Sequence, residues 1–131
     1  MSKPDLKGLM KLADYLHTVP NKEFDMGDWR FDSPCGTTAC IAGHAAMLFP
    51  RRFQLTTTCG KHDEYKYYWF SHRASKLCGS SAFAEGFKIS QGDAEQLTLY
   101  NVDSKATPKQ AARAVRALVG RLEREMVKAG K

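Results

Sequence analysis

Two cysteines and a histidine stand close together in the run Cys35-Gly36-Thr37-Thr38-Ala39-Cys40-Ile41-Ala42-Gly43-His44. Their spacing, C-x4-C-x3-H, puts Cys40 and His44 on one face of a helix, one turn apart, with Cys35 able to fold back from the preceding segment. Thiolate and imidazole are zinc ligands, and a structural zinc site takes four. Cys59 or His62 is available as the fourth. A second chemistry uses the same residues: a thiol in the first turn of a helix is acidified by the free backbone N–H groups, and His44 stands where a base would. Neither pattern is complete. There is no paired C-x2-C knuckle, and Cys–His dyads draw their members from different elements with a third group orienting the base. No Ser-His-Asp set, glycine-rich phosphate loop or paired-carboxylate arrangement occurs elsewhere. The favoured reading is structural: Cys35, Gly36, Cys40, Gly43 and His44, with the alanines between them, form a thin surface on which a buried helix meets its neighbour closely. No catalytic residue, metal ligand or cofactor is assigned. Zinc on Cys35, Cys40, His44 and Cys59, or a cysteine enzyme, ranks third among the functional readings.

Binding chemistry lies further along. Arg51, Arg52, Lys61, Lys66, Arg73 and Lys76 interleave with Phe53, Tyr65, Tyr67, Tyr68, Trp69 and Phe70. Rings stack on bases while cations neutralise phosphate, which suits single-stranded nucleic acid. The same residue types anchor protein interfaces, and some of the rings must belong to the core. From this stretch Arg51, Arg52, Lys66, Tyr67, Tyr68, Trp69 and Arg73 are the candidate contacts. On the last helix Lys109, Arg113 and Arg116, with Arg124, fall in one sector opposite the apolar stripe. The bland alternative for these is a solvated face.

The elements that hold these groups follow from periodicity and punctuation. Leu6, Leu9, Met10, Ala13 and Leu16 form a helical stripe, with Ser2 as cap, Pro4 in the first turn and Pro20 as the stop. Residues 21–34 read as an ordered loop that tucks Phe24, Met26 and Trp29 inward and leaves Asp25, Asp28 and Asp32 to water. Thr37 or Thr38 caps a helix over 39–49, closed by Pro50. Phe53, Leu55 and Thr57 alternate with polar residues as in a strand, and 65–70 is aromatic enough to pair with it across a turn at 59–63. Short helices are expected from Ser71 to Gly79 and from Ser81 to Glu85. Ser90, with Asp93 three residues on, opens a helix carrying Ala94, Leu97 and Tyr100. Thr107-Pro108-Lys109-Gln110 places N-cap, N1 proline and N3 glutamine in order. After it Ala111, Val115, Leu118, Leu122 and Met126 mark the buried side of a long terminal helix. The expected fold is mainly α: a small helical bundle, one domain over residues 1–131, with one β-hairpin inserted around residues 52–70.

The totals bound the rest. A chain of 131 residues buries about two thirds of its unfolded surface and folds without disulfide or metal. Its apolar fraction of 43% and charged fraction of 26% are those of a globular protein. Its longest apolar run, 39–49, is too short to span a bilayer, and the start has no apolar signal region, so a cytoplasmic protein with reduced cysteines is expected. The net charge of +6 is uneven. Residues 1–50 hold five Lys/Arg against six Asp/Glu, while residues 105–131 hold eight against two. Such a skew points to an acidic partner, nucleic acid or protein.

The leucine-striped first helix, Phe24-Asp25-Met26 with Trp29, and the cysteine segment together resemble a family of small uncharacterised proteins of phages, prophages and scattered bacteria, marked by C-G-T-x-A-C-I-A-G-[HW]. The later order fits as well: a short helix to Gly86, Phe87-Lys88-Ile89-Ser90 opening another, then Thr107-Pro108 and an alanine-rich terminal helix. The resemblance spans most of the chain, with the cysteine segment as its specific part; the insert at 51–70 has no counterpart. In the look-alikes tryptophan can replace the histidine at position 44, which would remove a zinc ligand. The resemblance implies a setting in the bacterial host cell and a fold, not an activity. The expectation is a non-enzymatic binding protein that engages a host or phage protein, with inhibition of a host process or defence system as its use. The alternative is a sequence-tolerant nucleic-acid binder. No membrane partner is expected, and the oligomeric state is left open.

Overall fold

The computed structural model describes residues 3–24, 26, 30–33, 36–57, 66–100 and 106–129. The chain is mainly helical with a small antiparallel hairpin. Helix α1 is Leu6–Thr18, and a 3-10 turn at Asn21–Glu23 follows it. Short strands β1 (Phe31–Ser33) and β2 (Gly36–Thr38) precede α2 (Ile41–Leu48), and β3 (Phe53–Thr57) and β4 (Lys66–His72) form the hairpin. Helices α3 (Gly79–Phe87) and α4 (Gln91–Glu95) lead into a π-helical turn at Gln96–Tyr100, and α5 spans Pro108–Ala129.

Helix α1 buries Leu9, Leu12, Ala13 and Leu16 along its stripe. Its cap is Asp5, not the expected Ser2, which lies outside the described residues. The Asp5 carboxylate accepts the Gly8 N–H at 3.0 Å and the Arg52 guanidinium at 2.8 Å, while the Asp5 N–H donates to the Phe87 carbonyl at 2.8 Å. A carboxylate thus answers both the helix N-terminus and a cation brought by the fold. A Cβ on Gly8 would run into that carboxylate, so the position needs glycine.

The hairpin is the expected one in place and sense, with Phe53 opposite His72 and Thr57 opposite Tyr68. It is part of a larger sheet, ordered β2-β1-β4-β3, in which Phe31 pairs with Tyr67. Two expectations give way here. Residues 31–33 are strand rather than loop, and Thr37 and Thr38 lie in β2 instead of capping α2. Pairing with β1 takes up their backbone, and α2 begins at an N-cap Cys40 that makes no side-chain capping bond.

Residues 71–78 are not helical either. Strand β4 runs on through His72, whose Nδ1 accepts the Ser75 N–H at 3.1 Å and so pins a turn that carries Lys76 at φ 65°. Gly79 opens α3 rather than closing a helix. Helices α2 and α3 pack on the hairpin, where the Phe53 ring lies 5.0 Å from Phe70, 6.5 Å from Phe83 and 5.5 Å from Phe87.

The later boundaries stand as expected. The Ser90 hydroxyl accepts the Asp93 N–H. Thr107 and Gln110 bond reciprocally, the Gln110 N–H to the Thr107 hydroxyl at 3.2 Å and the Thr107 N–H to the Gln110 side chain at 2.9 Å. Between them the buried Thr98 hydroxyl donates to the Ala94 carbonyl at 2.8 Å, competing with the α-helical amide bond where the helix turns π. Among the described residues no helix is long and apolar enough to cross a membrane.

Candidate functional site

From Ala39 on, the cysteine segment is interior. In α2 the six residues from Ile41 to Ala46 are all buried, a helix apolar around most of its surface because it sits between α1, the sheet and the turn at Gln96–Tyr100. Gly43 is among them, and Gly36 lies in β2. Cys40 and His44 are each 2% exposed and one turn apart, as their spacing predicts. Cys35, Cys59 and His62 lie outside the described residues, and among those described no group of three His, Cys, Asp or Glu side chains is placed to hold a metal ion.

His44 has a defined job. Its Nε2 lies 2.8 Å from the Glu23 carbonyl oxygen. A carbonyl only accepts, so Nε2 carries the proton and donates. Nδ1 is buried, and among the described residues it has no hydrogen-bond partner. The ring lies parallel to Phe24 at 5.9 Å and tilted to Tyr15 at 5.7 Å. Burial lowers its pKa, against the opposing pull of the Glu23 carbonyl and the Glu23 charge. Shut away from solvent, the imidazole favours its neutral form. Its geometry ties α2 to the 3-10 turn, whose Glu23 carbonyl also accepts the Ala39 N–H at 3.2 Å.

The aromatic and basic insert divides by side of the sheet. Phe53 and Phe70 face the helices, 1% and 0% exposed. Tyr68 lies half-buried under the Arg30 guanidinium, 4.6 Å from its ring centre. Alternation turns Trp69 the other way, opposite Thr56 in the register, and it is 54% exposed. Gln54 and Ser71, paired two positions along, share that outer face. Lys66 and Tyr67 precede these residues in β4. Arg30 was not among the expected contacts; its neighbour across the sheet is set by pairing that no local pattern encodes.

The cations have separate fates. Arg52 binds Asp5 and lies over the Phe49 and Phe87 rings at 4.5 and 5.3 Å. Arg73 Nε donates to the Pro50 carbonyl at 2.6 Å, closing the α2–β3 connection. On α5, Arg116 pairs with Asp14 of α1 at 2.9 Å. Arg51, Lys109 and Arg113 are exposed, and among the described residues none has an ion-pair partner. Helix α5 packs chiefly on α1 and touches the π-helical turn, whereas the hairpin packs on α2 and α3. The two candidate surfaces are therefore separate. No family model, curated protein or solved structure matches the chain.

Proposed function

We propose that this chain is a small non-enzymatic binding protein of phage or prophage type, acting in the cytoplasm of a bacterial host, that engages a host or phage protein through the outer face of its sheet. The observation that carries this reading is Trp69, 54% exposed on the side of the hairpin away from the helices. A tryptophan left in water forgoes burial worth about 1.5–3 kcal/mol or more for a large apolar side chain, and tryptophan with arginine dominates interface hot spots. Thr56, Gln54 and Ser71 give it a polar surround. The phage setting rests on the resemblance of the cysteine segment, and inhibition of a host process or defence system is the use that setting suggests. The test is affinity capture from bacterial lysate, with and without nuclease, using wild type and Trp69→Ala. A protein retained through nuclease treatment and lost with Trp69→Ala supports the reading. Recovery of nucleic acid alone, or an identical partner set with the variant, overturns it.

A second reading has its own observation. Lys109 and Arg113 are exposed at the start of α5 and have no ion-pair partner among the described residues, which leaves them free to meet a phosphate backbone. A sequence-tolerant nucleic-acid binder would use this end of the molecule.

A further inference from the structure

Helices α1 and α5 run antiparallel, with Asp14 against Arg116 at one end and Leu6 and Lys7 level with Glu123 at the other. Between them lies an open groove of about 400 Å³ whose floor is Leu6, Met10 and Val119. Val119 is buried, but Leu6 and Met10 are only partly covered. Val127, one turn past Glu123 on α5, is 64% exposed. The lips of the groove carry opposite charge. Lys7 and Lys11 line the α1 side, where the third charged group, Asp14, is already held by Arg116, and Glu123 lines the α5 side; Lys7, Lys11 and Glu123 are exposed, and among the described residues none of the three has an ion-pair partner. An apolar seam with one basic and one acidic lip is self-complementary: the same surface turned about a two-fold axis along the groove sets basic lip on acidic lip.

We propose that a second copy of this chain occupies the groove, with α1 of one protomer lying on α5 of its partner, so that the four helices form an antiparallel bundle. Lys7 then meets Glu123 of the partner subunit, and the reciprocal pair forms by symmetry. Leu6 and Met10, the partly covered floor residues, close the seam, Met10 adapting to its counterpart through its flexible thioether. Opposed lips favour this occupant over a uniformly acidic helix, which would satisfy Lys7 and Lys11 but set carboxylates against Glu123. The proposal is independent of the sheet face and of the function proposed for it.

Charge reversal tests it. Sedimentation of the full chain across a concentration series is expected to show a monomer–dimer equilibrium. Lys7→Glu and Glu123→Lys each place two like-charged contacts in the dimer and should weaken it by about tenfold or more. An equimolar mixture of the two variants should recover the dimer as a heterodimer, because each reversed residue then faces its opposite. Both sites are exposed, so thermal melts of the separate variants, run at a concentration where wild type is monomeric, check that folding is kept. A wild type that stays monomeric throughout overturns the proposal, including one that binds an acidic helical peptide in the groove. So does a dimer indifferent to either reversal, or a mixture that fails to re-form it.

Discussion

His44 shows how one side chain can look like chemistry and serve architecture. With Nε2–H committed to the Glu23 carbonyl and Nδ1 buried, a second proton would put an N–H where no acceptor stands among the described residues. The folded state therefore resists protonation, and the sign of the pH effect follows. Below the unfolded value of 6.5 the unfolded chain takes up a proton that the folded chain refuses, so stability falls as pH falls. The loss can reach no more than about 1.4 kcal/mol per pH unit between 6.5 and the depressed folded-state pKa, and above 6.5 this contribution is constant. Urea denaturation at several pH values between about 5 and 7.5, on wild type and His44→Phe, reads it directly. The variant should lose the His44 share of the slope. At neutral pH two terms oppose in it: the lost hydrogen bond contributes about 0.5–1.5 kcal/mol, and the removed buried acceptor had cost about 1–3. Stability there should hold or rise slightly. An unchanged acid-side slope would show that His44 is not the group responsible.

Among the elements, α3 carries the clearest contest between local preference and packing. Alanine is the better helix former than glycine by about 1 kcal/mol, so Gly86→Ala within α3 should stabilise on propensity alone. A Cβ at Gly86, however, would overlap the Phe53 ring, itself 1% exposed and wedged among Phe70, Phe83 and Phe87. Overpacking costs about 1–3 kcal/mol, so the variant is expected to be less stable by up to about 2 kcal/mol in thermal or urea denaturation. An equal or higher melting temperature would mean that Phe53 can move aside. The cap of α5 gives a second measurement. Thr107→Ala removes the hydroxyl that holds the Gln110 N–H and should cost about 1 kcal/mol, whereas Thr37→Ala should show no capping penalty, since Thr37 lies in β2.

At the scale of the molecule, the basic start of α5 and the exposed Trp69 lie on elements that do not pack together, and their effects should separate in measurement. If the start of α5 touches phosphates, Lys109→Ala with Arg113→Ala should reduce the slope of log affinity against log salt by up to about 1.8 on duplex DNA, at 0.9 per phosphate. Trp69→Ala should leave that slope alone while removing a protein partner. Arg116 is a poor probe for this purpose, because its partner Asp14 makes it part of the α1–α5 contact. A wild type without salt-dependent binding to DNA or RNA near physiological salt would end the nucleic-acid reading.

What the sequence determined by itself was whatever is decided within a few residues of chain. The stripe of α1, its stop before Pro20, the Ser90 cap, the reciprocal Thr107–Gln110 bonds and the alternation of β3 all rest on contacts spanning three or four positions. Thr37 and Thr38 were misleading for the same reason: as N-cap types they suit α2 locally, and only pairing with β1 claims them for a strand. The side chains singled out for chemistry were sorted by contacts across far longer separations. His44 reaches Glu23 over 21 positions, Arg52 reaches Asp5 over 47, and Arg116 reaches Asp14 over 102. Residue type and spacing could name these groups as candidates. Whether each faces water or is already engaged depends on which distant backbone or carboxylate the packed chain brings beside it, and tertiary structure alone decides that.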